Sequence, residues 1–186
     1  MSTHKLWLLT GIGALIAMSG VWPVAAQLPT YGVGRQPTPE EVRAWELTIP
    51  PDGQGLPPGS GTAALGHAVF AARCAGCHGA TGEDPTYSRL VGGQGTLATD
   101  QPIQTIGSFW PYAPTLWRYI RRAQPFDHPG SLTPDQVYAV TAYLLHRNGL
   151  IGAQEVMDAT TLPRVQMPNR DGFVPGPRPD VGPASR

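Results

Sequence analysis

The sequence is poor in cysteine, methionine and lysine. Its 186 residues include two cysteines and four methionines, and Lys5 is the one lysine. Charged residues make up 14% of the chain, and the formal net charge at pH 7 is zero. Nucleic-acid-binding proteins usually carry an excess of positive charge, and this chain has no strong excess of either sign. We therefore expect no nucleic acid partner.

Signals for β-strands are also weak, and no internal repeat is visible. The 23 glycines and 21 prolines crowd residues 28–61 and 172–183, which leaves the middle of the chain as the predicted folded core. Within the first of these regions, residues 53–61 form a Gly/Pro linker with no pattern that would bury a face.

Residues 1–26 have the layout of a secretory signal peptide. A short basic stretch at 4–5 precedes a mostly apolar segment at 6–21, and small residues at 24–26 offer a cleavage site. We expect cleavage near Ala26, a periplasmic location and no stable membrane span afterwards. The alternative is an uncleaved membrane anchor, although the apolar segment is short for a spanning helix.

Capping signals and apolar periodicity predict four helices after the signal segment. They cover residues 39 to about 45, 62–73, 114–122 and 134–147. Thr133 and Gln136 form a capping box at the start of the last helix, and Asn148-Gly149 supplies its stop. A Gly-rich loop is expected from Gly79 to about Gly107.

Apolar residues at helical spacing predict the buried face of each longer helix. These faces are Leu65, Val69 and Phe70; Leu116, Trp117 and Ile120; and Val137, Val140 and Leu144 with Tyr143 beside them. Gly66 lies where it would let another helix approach closely. Thr141 falls on the last of these faces, and we expect its hydroxyl to bond back to a carbonyl one turn earlier.

Both cysteines lie in one pentapeptide, Cys74-Ala75-Gly76-Cys77-His78. The C-x-x-C-H pattern is the attachment signature of c-type haem. The two thiols add to the porphyrin vinyl groups as thioethers, and His78 presents its imidazole to the iron as the proximal ligand. Haem attachment also explains why an exported protein keeps two cysteines that do not form a structural disulfide. We therefore predict one covalent haem c, bound by Cys74 and Cys77.

Two other uses of the pentapeptide are weaker. A zinc site would need adjacent Cys77 and His78 on one metal, which is strained, and the chain has no second cysteine pair. A thioredoxin-type redox pair would need a βαβ context that the sequence does not show.

The sequence leaves several residues open as the second axial ligand. After the signal segment only Met157 and Met167 remain as methionines, and both follow the helix at 134–147. His128 is the one residue of ligand type between the pentapeptide and that helix. Met167 is favoured because the nearby prolines limit backbone freedom, whereas Met157 could equally fill a gap in the core. A site without a second protein ligand is the remaining alternative.

Further side chains are candidates for the surroundings of the haem. The aromatic set could wall a pocket and direct polar edges to the haem propionates, and the arginine set could bind a propionate or a partner carboxylate. The aromatic set is Trp110, Tyr112, Trp117 and Tyr119, and the arginine set is Arg118, Arg121 and Arg122. Ordinary core packing and a solvated helix face are the competing interpretations. His67 and His146 are expected to be surface or packing histidines.

The chain resembles class I cytochromes c, because a helix runs into C-A-G-C-H and a capped helix lies near the C-terminus. The pairs Gly66/Phe70 and Val140/Tyr143 resemble the crossed-helix contact of that family. Four stretches are similar to the cytochrome c subunits of periplasmic molybdenum-dependent sulfite and sulfane dehydrogenases. They are GLPPGSG at 55–61, GSFWPYAPTLWRYIRRAQPF at 107–126, SLTPDQVYAVTAYLL at 131–145 and LPRVQMPNRDGF at 162–173.

The resemblance implies an all-α, cytochrome c-like helical domain around one covalent haem, with a long Pro/Gly-rich N-terminal arm and a C-terminal extension. The implied organisation is a signal peptide at 1–26, an arm with a short helix at 27–60, a cytochrome c domain at 61–173 and a flexible tail at 174–186. It also implies that Met167, in the MPN stretch, is the second ligand.

The implied function is electron transfer from a molybdenum-containing dehydrogenase subunit to a downstream cytochrome c or oxidase. The chain departs from the sulfane dehydrogenase subunit, which typically carries two haem motifs, since it has one. A free periplasmic carrier and, less favoured, a haem enzyme with an open distal site are the alternatives.

Overall fold

The structure is a computed structural model, and it describes residues 33–45, 48–174 and 176. The predicted signal peptide and most of the predicted tail lie outside the described residues. The chain divides into two compact units between Thr38 and Pro39, and the second contains nearly all of the described residues. In the ranges that the structure describes, no helix is long and apolar enough to cross a membrane.

The described part of the second unit is mainly helical, as the sequence predicts. Five α-helices and two two-residue strands follow in chain order, with a 3-10 turn at Leu162–Arg164. The helices are α1 (Pro39–Trp45), α2 (Ala63–Arg73), α3 (Ala75–His78), α4 (Ala113–Ala123) and α5 (Pro134–Arg147). The strands are β1 (Ser60–Gly61) and β2 (Met157–Asp158), which pair antiparallel with Gly61 opposite Met157.

The predicted caps fix the ends of the long helices. The Thr62 hydroxyl accepts from the Leu65 amide at the start of α2. At the start of α5, Thr133 accepts from the Gln136 amide while the Gln136 side chain accepts from the Thr133 amide, which is the predicted capping box. Gly149 takes a φ of 70° after α5, a conformation that favours glycine.

The crossing of α2 over α5 is the main helix contact, and Gly66 makes it possible. A Cβ at residue 66 would overlap the Ala139 backbone, so only glycine lets the two helices approach this closely. Phe70 packs beside the crossing, with its ring centroid 5.0 Å from that of Tyr143. The crossed-helix contact expected from the sequence is therefore confirmed, with Ala139 as its closest point.

The prediction that Leu65 belongs to the buried face of α2 was wrong. Leu65 is 63% exposed, whereas Ala63 and Phe70 are buried together with Gly66. The close approach at Gly66 centres the contact on residues 63, 66 and 70, which share one side of the helix. Leu65 is displaced from that line by about 100° of helical rotation and faces solvent.

The predicted hydrogen bond of Thr141 was also wrong. The side chain is fully buried in α5, but its hydroxyl has no hydrogen-bond partner. Packing of the methyl and hydroxyl among core groups, not a bond to the preceding turn, therefore sets the orientation of this side chain.

The Gly/Pro segment before α2 is packed, although its sequence has no apolar pattern. Ile49 is 2% exposed and lies in the core cluster. The Tyr138 hydroxyl donates to the Pro57 carbonyl at 2.9 Å, and a Cβ at Gly61 would overlap Ala139. Backbone groups supply the contacts at Pro57 and Gly61, so a search for apolar side chains could not find those two.

The packing of α2 predicts a sharp contrast between two of its apolar residues. Phe70→Ala should lower the free energy of unfolding by about 3 to 5 kcal/mol, because it empties a fully buried site. Leu65→Ala, the control on the exposed side, should change it by less than about 0.5 kcal/mol. Guanidinium unfolding of the purified proteins measures both, and equal losses would contradict this packing.

Candidate haem-binding site

The pentapeptide 74–78 begins where α2 ends. The Cys74 amide donates to the Phe70 carbonyl, and the amides of Cys77 and His78 donate to the Cys74 carbonyl at 3.1 and 3.0 Å. Cys74 packs against the core cluster, whereas Cys77 is exposed. One helical turn therefore displays both thiols and the imidazole.

Burial keeps the Cys74 thiol neutral. It raises the pKa of Cys74 to about 11, with a smaller rise from Cys77 and an opposing effect of Arg73. Across the described ranges, no group of three His, Cys, Asp or Glu side chains is arranged to hold a metal ion.

The backbone of the following loop fixes the tautomer of His78. Its Nδ1 lies 2.8 Å from the Ser88 carbonyl oxygen. Because a carbonyl only accepts, Nδ1 carries the proton and Nε2 presents a lone pair. A histidine held through its second nitrogen in this way is oriented for a metal. Gly79, with a φ of 74°, ends the helical turn directly after His78.

Asn148, at the end of α5, anchors that loop. Its Oδ1 accepts from the Gly92 amide at 3.0 Å, and its Nδ2 donates to the Leu90 carbonyl at 3.1 Å and to the Leu144 carbonyl at 2.8 Å. The residue is 6% exposed. Gly107, further along the loop, lies directly against the Asn148 amide, where a Cβ would not fit. One side chain therefore joins two parts of the loop to the helix.

A second buried polar cluster, formed by Thr105 and Ser108, fixes the end of the loop. The Thr105 hydroxyl donates to the Gly92 carbonyl, and the Ser108 hydroxyl donates to the Ile103 carbonyl at 2.6 Å. The Phe109 amide donates to the Thr105 carbonyl at 2.9 Å. These bonds hold the backbone at Phe109 just before α4.

Met167 is buried beside this loop end. The residue is 3% exposed and belongs to the core cluster. Two residues later, the Asn169 amide nitrogen donates to the Phe109 carbonyl at 2.8 Å. The Met167 segment is thus attached to the same loop whose first part holds His78.

The other two candidate ligands lie in different settings. Met157 is 2% exposed in β2, opposite Gly61, where it fills the core next to the small sheet. The His128 side chain is 71% exposed, and its Nδ1 lies 3.0 Å from Asp127 Oδ2. The hydrogen bond from His128 lowers the pKa of Asp127. Neither residue shares the anchoring of Met167 on the loop.

Three of the four aromatic candidates lie in aromatic pairs, and the fourth, Tyr112, lies against the Arg170 guanidinium. The Trp110 and Tyr119 ring centroids are 5.5 Å apart, and those of Trp117 and Tyr138 are 5.2 Å apart. Trp117 is fully buried, yet its Nε1 has no hydrogen-bond partner. An orphaned buried donor is costly unless an acceptor joins it, and a propionate of a bound haem would be such an acceptor. The residues of this chain therefore fit the group.

The remaining candidates make local contacts. Arg121 donates to the Gly130 carbonyl, and Arg122 is exposed. The His67 ring lies 5.5 Å from the Tyr143 ring, and His146 Nδ1 lies 3.1 Å from the Ile151 carbonyl oxygen. Both histidines have the packing roles expected from the sequence.

Sequence reasoning missed Ser88 and Asn169 and recognised Asn148 only as a helix stop. Ser88 acts through its carbonyl, which any residue carries, so no sequence signal marks it. Asn148 had a partial signal, because asparagine before glycine at a helix end often caps carbonyls. The distant partners of Asn148 and Asn169 depend on how the loop folds back.

The arrangement defines a class of protein. A family model described as cytochrome c matches residues 63–148. The chain belongs to the cytochrome c family, so it binds haem c covalently and transfers electrons.

A particular relative extends the match. A chain in the crystal structure of the sulfane dehydrogenase SoxCD from Paracoccus pantotrophus is 44% identical, with a TM-score of 0.72. The match covers 79% of this chain and 73% of that chain. A search of curated proteins gave no significant match.

The anchoring role of Asn148 predicts a large effect of its removal. Asn148→Ala should destabilise the haem-loaded protein by about 2 to 3 kcal/mol, because it leaves the Gly92 amide without its acceptor and removes two further bonds, to the Leu90 and Leu144 carbonyls. Gln94→Ala is the control, since its exposed side chain makes one bond to the Asn148 carbonyl. Urea unfolding measures both, and an Asn148→Ala cost no larger than that of Gln94→Ala would refute the role.

Proposed function

We propose that this chain is the single-haem, electron-accepting subunit of a periplasmic dehydrogenase that oxidises sulfite or a related sulfur compound at a molybdenum centre. The observation that carries the proposal is the 44% identity to a chain of the SoxCD sulfane dehydrogenase, extended over most of both chains. The single C-x-x-C-H motif favours a one-haem subunit of the sulfite dehydrogenase type.

In this proposal, four residues would hold the cofactor. Cys74 and Cys77 would form the thioether bonds, and His78, through Nε2, and Met167 would be the protein ligands of the iron. Haem c bound in this way would supply a one-electron carrier, with a potential that a methionine ligand raises. The hydrogen bond from His78 to the Ser88 carbonyl strengthens the imidazole as a ligand and fixes its direction.

Two protein ligands leave no place for a substrate. The burial of Met167 supports this point, because a ligand packed in the core is not readily displaced. Oxidation of the sulfur compound must then occur on another subunit, and electrons leave this chain singly to a downstream cytochrome c or oxidase. The proposal therefore disfavours a haem enzyme with an open distal site.

The ligand assignment predicts distinct effects for the two buried methionines. Met167→Leu keeps the apolar volume but removes the thioether, so the methionine-to-iron charge-transfer band should disappear and the ferrous protein should bind carbon monoxide. Met157→Leu is the matched control. It should keep the charge-transfer band, and its ferrous form should not bind carbon monoxide. Absorption spectra of the two haem-loaded variants measure this. A band that survives in Met167→Leu and is lost in Met157→Leu would reverse the assignment.

The partner is tested by mild isolation of the affinity-tagged protein from its native host. We expect molybdenum in stoichiometric amount with haem, and reduction of the haem by sulfite. Reduction by thiosulfate that needs other carrier proteins would indicate a sulfane dehydrogenase instead. A monomer without molybdenum, reduced by neither compound, would contradict a tight complex and favour a free carrier.

A further inference from the structure

The segment that follows Met167 makes three side-chain contacts with residues 109–112. The Asn169 amide nitrogen donates to the Phe109 carbonyl at 2.8 Å. The Arg170 guanidinium lies 5.3 Å from the centroid of the Tyr112 ring, and the Phe173 ring lies 5.2 Å from the Phe109 ring. We refer to residues 167–173 as the methionine strap.

The strap is a folded turn and not merely an extended chain. The Arg170 amide donates to the Met167 carbonyl at 3.1 Å, and the Gly172 amide donates to the Asn169 carbonyl at 3.2 Å. A Cβ at Gly172 would overlap the Asn169 side-chain oxygen. The Asn169 amide is therefore held between Gly172 on one side and the Phe109 carbonyl on the other.

The contacts of the strap differ in strength. Phe173 is 53% exposed. The cation–π contact of Arg170 with the half-buried Tyr112 ring contributes about 1 kcal/mol. Asn169 is half-buried, and its acceptor belongs to the loop end that Thr105 and Ser108 fix. Among the strap side chains, that of Asn169 is thus the one that is hydrogen-bonded to this loop end.

Resting on the assignment of Met167 as the distal ligand, we propose that Asn169 is a positioning residue for this ligand. Leu162 and Val165, buried in the core, hold the chain before Met167, and the hydrogen bond of Asn169 holds it after Met167. Without that bond the strap can swing out with the thioether. The iron then becomes accessible to small exogenous ligands such as imidazole. By holding Met167 in place, Asn169 therefore keeps exogenous ligands from the iron and restricts the haem to electron transfer.

The test uses the isosteric variant Asn169→Asp in the haem-loaded, full-length protein. A carboxylate cannot donate, and it repels the Phe109 carbonyl, so the strap loses its anchor without a change of shape. We expect imidazole to bind the ferric protein about tenfold more tightly, which is the upper range for one hydrogen bond. Gln166→Ala is the control, because Gln166 is exposed and bonds only to the Arg164 carbonyl within the described structure.

A second measurement distinguishes a positioning role of Asn169 from a merely structural one. Asn169→Asp should weaken the methionine-to-iron charge-transfer band at neutral pH, while the band of Gln166→Ala stays unchanged. If Asn169→Asp does not accumulate, Arg170→Leu loosens the strap at Tyr112 and should tighten imidazole binding about threefold, in line with the smaller energy of that contact.

The outcomes separate this inference from the proposal on which it rests. Imidazole affinity and charge-transfer band equal to the natural protein in Asn169→Asp would overturn the positioning role while leaving Met167 as ligand. A charge-transfer band that persists in Met167→Leu would instead remove the ligand assignment and, with it, the basis of the inference.

Discussion

The hydrogen bonds of the Asn148 side chain join the loop of the site to the last long helix. Residues 79–112 contain no helix or strand, so turns, single backbone hydrogen bonds and buried side chains hold the loop. The Asn148 amide bonds to Leu90 and Gly92 in the loop and to Leu144 in α5. Because each buried bond contributes about 1 kcal/mol and an unpaired partner costs more, this amide sets the loop register together with the Thr105 and Ser108 cluster.

That register connects the two proposed axial ligands. In the first part of the loop, the Ser88 carbonyl accepts a hydrogen bond from His78. In its last part, the Phe109 carbonyl accepts one from Asn169, two residues after Met167. Both acceptors are backbone atoms, whose positions follow from the path of the loop alone. Met167 follows α5, the last long helix, in the sequence. The loop at residues 79–112 can nevertheless hold Met167 in place, and the same loop orients His78.

Local features of this fold could be predicted from the sequence, and non-local ones could not. The capping box at Thr133 and the pentapeptide 74–78 follow from residues close in sequence. Leu65 was misplaced because its environment depends on where α2 crosses α5. The hydroxyl of Thr141 was misjudged because its rotamer depends on core packing. Pro57 and Gly61 contact α5 through their backbone, and the partner of Asn169 lies 60 residues away.

We propose that His78 and Met167 both hold the haem iron of this electron-transfer domain. A crystal structure of the haem-loaded protein tests this assignment most directly. We expect His78 Nε2 and the Met167 sulfur to be the two protein ligands of the iron, with His78 Nδ1 still bonded to the Ser88 carbonyl. Met157, His128 or a water molecule in the place of Met167 would refute the assignment.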